Sequence, residues 1–257
     1  MKISTGERLI GRMTARTGEK VLGWASLVAI AVTAVMSLLV VPPDASQGNV
    51  QRLMYVHVPA AWLAYLSFFV VFVASIAYLA TKRIRWDRLA AASAEAGVLF
   101  TVLTIALGML WGKPVWGAWW TWDPRLTTTA ILLLLYLGYL AVRRLPESPA
   151  RRARWAAVIG IVAFLDVPIV QLSVTWWRSL HQGPTVRLLG QSTIAPIMLT
   201  TLLVAVAAFT VLYCYLIVLR LRVGRLEERA LAEALSPRIG VPVAEVVEES
   251  EEAVARG

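Results

Sequence analysis

The stretch VPAAWLAYLSFFVVFVASIAYLA, residues 58–80, decides the fold, because it carries no charged side chain from end to end. Wound as a helix at about 1.5 Å per residue it is roughly 34 Å long, enough to cross a hydrocarbon layer of about 30 Å. Five further runs on either side qualify by the same criterion: 21–41, 89–110, 126–142, 155–174 and 194–219, the fourth being the shortest. Of the 257 residues, 58% are hydrophobic and 16% charged, against about 45–50% and 25% in soluble chains. A soluble enzyme, a disordered chain and a disulfide scaffold are excluded. The expected fold is all-α: a polytopic membrane protein with six transmembrane helices.

The first run follows Lys2, Arg8, Arg12, Arg16 and Lys20, as a signal peptide would. Its apolar length exceeds a signal core of about 7–15 residues and no A-x-A site follows, so a retained helix is expected. Orientation follows from the cations. Five Lys or Arg precede the first run, four lie in 81–88, five in 143–154 and six after 219. The alternate segments hold only Arg52, then Lys113 and Arg125, then Arg178 and Arg187. Positive charge stays cytoplasmic, so both termini read as cytoplasmic and 42–57, 111–126 and 175–193 as outward. The net charge of +9 is thereby topological, and nucleic acid is not an expected partner. The organisation reads as a cytoplasmic segment 1–20, a six-helix membrane domain 21–219 and a cytoplasmic tail 220–257. Within the tail, Arg222 to Leu235 has helical spacing that Pro237 is expected to break, ahead of an acidic stretch.

The chain has two histidines, His57 and His181, and both fall in outward segments. His57 precedes Val58-Pro59, where proline suits a first helical turn, so it reads as the cap of the second span. His181 lies just beyond the fifth. A single histidine of this kind more often serves a hydrogen-bonded structural role; two at matched depth favour a shared ligand. Imidazole suits zinc, copper, iron and nickel. The one cysteine, Cys214, lies inside an apolar run, which removes thiolate clusters and the covalent CxxCH signature. Asp123 could add a metal ligand, but Asp123-Pro124 also reads as a helix N-cap with proline at N1. Two histidines alone fit haem, whose porphyrin leaves two axial positions.

Five of the eleven tryptophans, Trp111, Trp116, Trp119, Trp120 and Trp122, crowd one short loop. An aromatic belt explains Trp24, Trp62, Trp86 and Trp155 near span ends, not that crowd. Leaving several indoles in water would forfeit on the order of 10 kcal/mol at about 25 cal/mol/Å², so they lie on lipid, on each other or on a flat apolar ligand or partner. Haem propionates would need cations, and Arg52 and Arg125 lie nearest these elements in sequence. Glu95 and Asp166 are intramembrane acids, functional candidates by default; Asp166, two residues before Pro168, reads as local structural glue, and Glu95 as a partner for another helix or subunit.

The loop WGKPVWGAWWTWDPRLTT (111–128) resembles the tryptophan-rich WWD signature of the haem-handling proteins of cytochrome c biogenesis. RLMYVHVPAAW (52–62) and DVPIVQLSVTWWRSLHQGPT (166–185) resemble that group's two flanking histidine elements. Six spans, one such loop and two histidines are most similar to the CcmC, or haem exporter protein C, family, over about residues 20–220. Pro124 departs from the small residue expected there. The resemblance implies transient, non-covalent binding of haem b at the periplasmic face of the bacterial inner membrane, with His57 and His181 as axial iron ligands. It implies that the five tryptophans border the haem, that Asp123 shapes the loop, and that Arg52 and Arg125 meet the propionates. Delivery to the haem chaperone CcmE, assembly with CcmB and CcmD, and ATP hydrolysis in CcmA are also implied, since this chain has no phosphate loop and is not expected to be an enzyme. Two rivals remain from the residues alone: a bis-histidine membrane cytochrome in electron transfer, and a solute permease working through Glu95 and Asp166.

Overall fold

The computed structural model describes residues 5–145, 148–181, 183, 194–245 and 252. Lys2, Arg187, Arg256 and most of the acidic stretch lie outside them. The described chain forms seven helices: α1 Thr5–Val35, which widens into a π-turn Met36–Val40, then α2 Met54–Thr81, α3 Ile84–Trp116, α4 Pro124–Val142, α5 Pro149–Phe164, α6 Asp166–Trp176 and α7 Pro196–Ile239. They supply six segments long and apolar enough to cross a membrane, with α5 and α6 together making the fifth. The fifth span is broken because Pro168 has no N–H to offer the Phe164 carbonyl. Leu165 turns the chain there, and Asp166 starts α6 with its side chain buried and one carboxylate oxygen unpartnered among the described residues.

Helix α2 sits at the centre, touching α3, α5 and α7, while α1 packs on α7. With lipid outside, packing and hydrogen bonds rather than water exclusion hold such helices, so small residues line the contacts. Phe68 stacks on Tyr136 with centroids 3.6 Å apart. That stack exists because Gly97 lacks a side chain: a Cβ there would stand 2.4 Å from the Phe68 ring. At the basic end, Arg143 grips buried Asp87 bidentately at 2.6 and 2.8 Å, joining α3 to the end of α4. Arg220 of α7 holds Glu95 at 2.5 and 3.0 Å, so this acid pairs within the chain.

Three expected helix boundaries lie elsewhere in the structure, in α3, α2 and α7. Helix α3 continues through Trp116 with Pro114 inside its last turn, so the non-helical part of the 111–128 loop is 117–123. His57 is not a cap: a 3₁₀ turn, Asn49–Leu53, feeds directly into α2, which places His57 and Pro59 inside the helix. The fifth span ends as helix at Trp176, and Trp177 is extended. Pro237 does not end the tail helix either. Helix α7 runs unbroken past residue 219 to Ile239 and stops at Gly240, whose positive φ of 68° only glycine adopts freely.

Candidate functional site

His57 lies one turn inside α2 and faces α3 where α3 has no side chain. A Cβ on Gly108 would stand 3.2 Å from His57 Cε1, so glycine lets the imidazole sit against the helix backbone. His57 Nδ1 is buried without a hydrogen-bond partner; the Thr104 carbonyl lies beside the ring but outside good hydrogen-bond geometry. Trp111 meets the imidazole edge-on, at 5.7 Å and 86°. One turn along α3, Gly112 does for Trp116 what Gly108 does for His57: a Cβ there would stand 2.9 Å from the Trp116 ring. Two glycine notches therefore seat two rings on one helix face.

His181 is placed by the opposite device. Asp123 caps α4, accepting from the Arg125 N–H at 3.0 Å, with Pro124 at N1 as the sequence indicates. The same carboxylate accepts from the Leu180 N–H at 2.7 Å and bonds His181 Nδ1 at 3.0 Å. Burial pushes the Asp123 carboxyl up, but hydrogen bonds from Leu180, Ser179 and Arg125, with the nearby His181 charge, outweigh it and hold the group below the usual carboxylate range. Burial lowers the His181 pKa, with Arg125 acting the same way and Asp123 opposing. At neutral pH the pair is a carboxylate accepting Nδ1–H from a neutral imidazole, which leaves Nε2 bare.

Both imidazoles line one cavity of about 330 Å³ between α2, α3, α4 and α6. Ala61, Ile105, Leu126 and Leu132 give it apolar walls, and Trp116, 4.8 Å from His181, forms part of its rim. Among the described residues Arg125 is the cation on the cavity wall; its Nη2 donates to the Gln171 carbonyl at 3.2 Å and its buried Nε has no partner among them. Arg52 is elsewhere, donating to the Leu38 and Val41 carbonyls at the end of α1. Trp119 and Trp122 are exposed, and Trp120 meets Trp122 edge-on at 5.7 Å. Trp176 and Trp177 are exposed as well and form a further edge-on pair. Among the described residues no cluster of three or more His, Cys, Asp or Glu could hold a bare metal ion. Two imidazoles with an apolar slot and one guanidinium suit a flat ligand that brings most of its own coordination and an acidic edge.

Sequence reading did not single out Gly108, Gln171 or Gln47, although Gly108 and Gly112 have the four-residue spacing of a helix-contact motif. The family model for haem exporter protein C matches residues 6–236. The chain belongs to the CcmC family. It is 40% identical to haem exporter protein C of Bradyrhizobium diazoefficiens over 76% of this chain and 74% of that one. Haem exporter protein C of Haemophilus influenzae is 35% identical, covering 89% and 91%. A putative cytochrome c biosynthesis ccmC-like mitochondrial protein of Arabidopsis thaliana is 36% identical, covering 85% and 83%. The family match spans all six membrane-crossing segments and every residue of the cavity wall.

Proposed function

We propose that this CcmC-family chain is a haem-handling subunit of cytochrome c maturation that binds haem b transiently and non-covalently at its histidine end. That end faces the periplasm from the inner membrane, as the distribution of Lys and Arg indicates. The observation that carries the reading is that His57 and His181, distant in sequence, line one apolar cavity. Each offers Nε2: His57 turns Nδ1 inward against α3 and His181 gives Nδ1 to Asp123. Together they supply the two axial ligands, while Arg125 takes a propionate. Arg52, bonded to the end of α1, joins as second propionate partner by releasing those carbonyls. Trp111 and Trp116 wall the ligand; Trp119, Trp120 and Trp122 border its outer edge.

The exposed indoles form a landing surface for the chaperone CcmE, which takes the haem away. CcmB and CcmD share the membrane with this chain, and CcmA hydrolyses ATP for the assembly. This chain performs no bond chemistry of its own: it orients its cargo and keeps water from it. The test is an absorption spectrum of the protein purified with CcmE. A low-spin haem signal is expected, lost or converted in His57→Ala and in His181→Ala. Trp119→Ala with Trp122→Ala should keep that signal and lose transfer to CcmE. A spectrum indifferent to both histidines refutes the reading.

A further inference from the structure

The two imidazoles are held by unlike means. His181 has a hydrogen bond to a carboxylate; His57 has none on Nδ1, and only shape restrains its ring. One restraint is the Gly108 notch and the other is the edge of Trp111. What fixes Trp111 thus fixes His57. The Trp111 indole N–H, the only polar group on that side chain, donates to Gln47 Oε1 at 2.8 Å.

Gln47 is itself on a built support. Asp44 Oδ1 accepts from Ser46 N at 2.9 Å, Ser46 Oγ at 2.8 Å and Gln47 N at 2.9 Å. Asp44 and Gly48 exchange backbone hydrogen bonds at 3.1 and 2.9 Å, closing the loop, and Gly48 takes a positive φ of 58°. On one side Arg52 ties the strap to the end of α1; on the other Gln51 donates to Tyr55 Oη at 3.2 Å. Residues 44–52 form a strap from which Gln47 reaches Trp111.

Resting on the haem-binding reading above, we infer that Gln47 is a positioning residue: through Trp111 it sets the plane of the His57 imidazole and hence the strength of that ligand. Metal-bound histidines ordinarily take this control from a carboxylate or carbonyl on the second ring nitrogen; here an indole replaces it.

The test compares haem-loaded wild type with Gln47→Leu, which keeps the volume and removes the acceptor, and with Gln47→Glu, which restores an acceptor oxygen. Haem content should stay within about twofold in all three. In Gln47→Leu the ferric low-spin electron paramagnetic resonance signal should broaden and shift, and displacement of His57 by added imidazole should speed up about fivefold, in keeping with one hydrogen bond. Gln47→Glu should restore both. Trp111→Phe, which keeps an aromatic edge without the N–H, should match Gln47→Leu, and the double variant should add nothing; if Gln47→Leu does not accumulate, Trp111→Phe decides the matter alone, a wild-type signal and displacement rate overturning the tether. A Gln47→Leu signal and displacement rate equal to wild type, with wild type bis-histidine ligated, overturns the tether alone. Wild type without histidine-ligated haem overturns the underlying reading instead.

Discussion

Asp123→Asn is the substitution from which the site's design can be measured. Besides the Ser179 hydroxyl, the carboxylate accepts three hydrogen bonds: from the N–H groups of Arg125 and Leu180 and from His181 Nδ1. Oδ1 serves Arg125 and His181, and Oδ2 serves Leu180. Asparagine has one acceptor oxygen, so either rotamer aims its NH₂ at a backbone N–H that cannot reverse. Keeping the oxygen on the Arg125 and His181 side abandons Leu180; the other choice abandons the helix cap. One buried donor left unpaired costs about 1–3 kcal/mol. The bonds that survive lose charge assistance, which makes ion-acceptor bonds roughly twice as strong. Leu180 adjoins His181, so the loss falls on the ligand's own backbone. Haem retention should fall about 10- to 100-fold, the range usual for a partner behind a metal ligand. Dissociation followed by haem transfer to apomyoglobin measures it. Asp123→Glu should not rescue, because the longer chain cannot cap α4 and reach Leu180 together. Wild-type retention in Asp123→Asn would refute the three-bond account.

Other outcomes follow from the same geometry. The lowered pKa of His181 means that in the haem-free protein it is more than half neutral at pH 6.5, the neutral form carrying its proton on Nδ1; nitrogen-15 shifts of the ring report both, and a midpoint at or above 6.5 contradicts the burial argument. By linkage, stability involving this group is intact above 6.5 and is lost as pH falls from there through the lowered value, since the unfolded chain takes the proton first. Gly97→Ala should destabilise the bundle by about 1–3 kcal/mol in a detergent unfolding titration, because a Cβ 2.4 Å from fully buried Phe68 must displace the Phe68–Tyr136 stack. Arg143→Ala should cost about 3–5 kcal/mol by stranding buried Asp87, whereas Arg143→Met with Asp87→Leu should cost far less; equal losses would mean the charge is not what matters.

The six spans are legible in the sequence because uninterrupted apolar runs have one solution in lipid: helix, with every backbone group bonded internally. The ends of the helices are less legible: Pro59 reads as a first helical turn and Pro237 as a stop. Pro114 and Pro237 fall in last turns, where one bond is forfeited cheaply, and Pro59 follows a 3₁₀ lead-in that had already started the helix. Asp123 was visible as a cap from the Asp-Pro pair. Its bond to His181, 58 positions away, was not, since nothing local encodes a contact made only when α4 and α6 pack. Gln47 was invisible for the same reason, its indole partner lying 64 residues on. The bonds from Arg52 to the Leu38 and Val41 carbonyls, 14 and 11 positions back, are hidden in the same way.

Helix α7 has 44 residues, so at 1.5 Å each it is roughly 66 Å long, about twice the hydrocarbon thickness. Near its start, Met198, Leu202 and Ala205 pack in the cluster that also holds Tyr55 and Trp111. Toward its far end it is clipped to the bundle through Arg220 to Glu95, Arg222 to Glu19 and Glu228 to Arg88. Such a rod is a lever with its fulcrum at the ionic clips. A displacement of the tail is carried along one continuous helix to the cluster that backs Trp111, so the two ends of the molecule share a single rigid element.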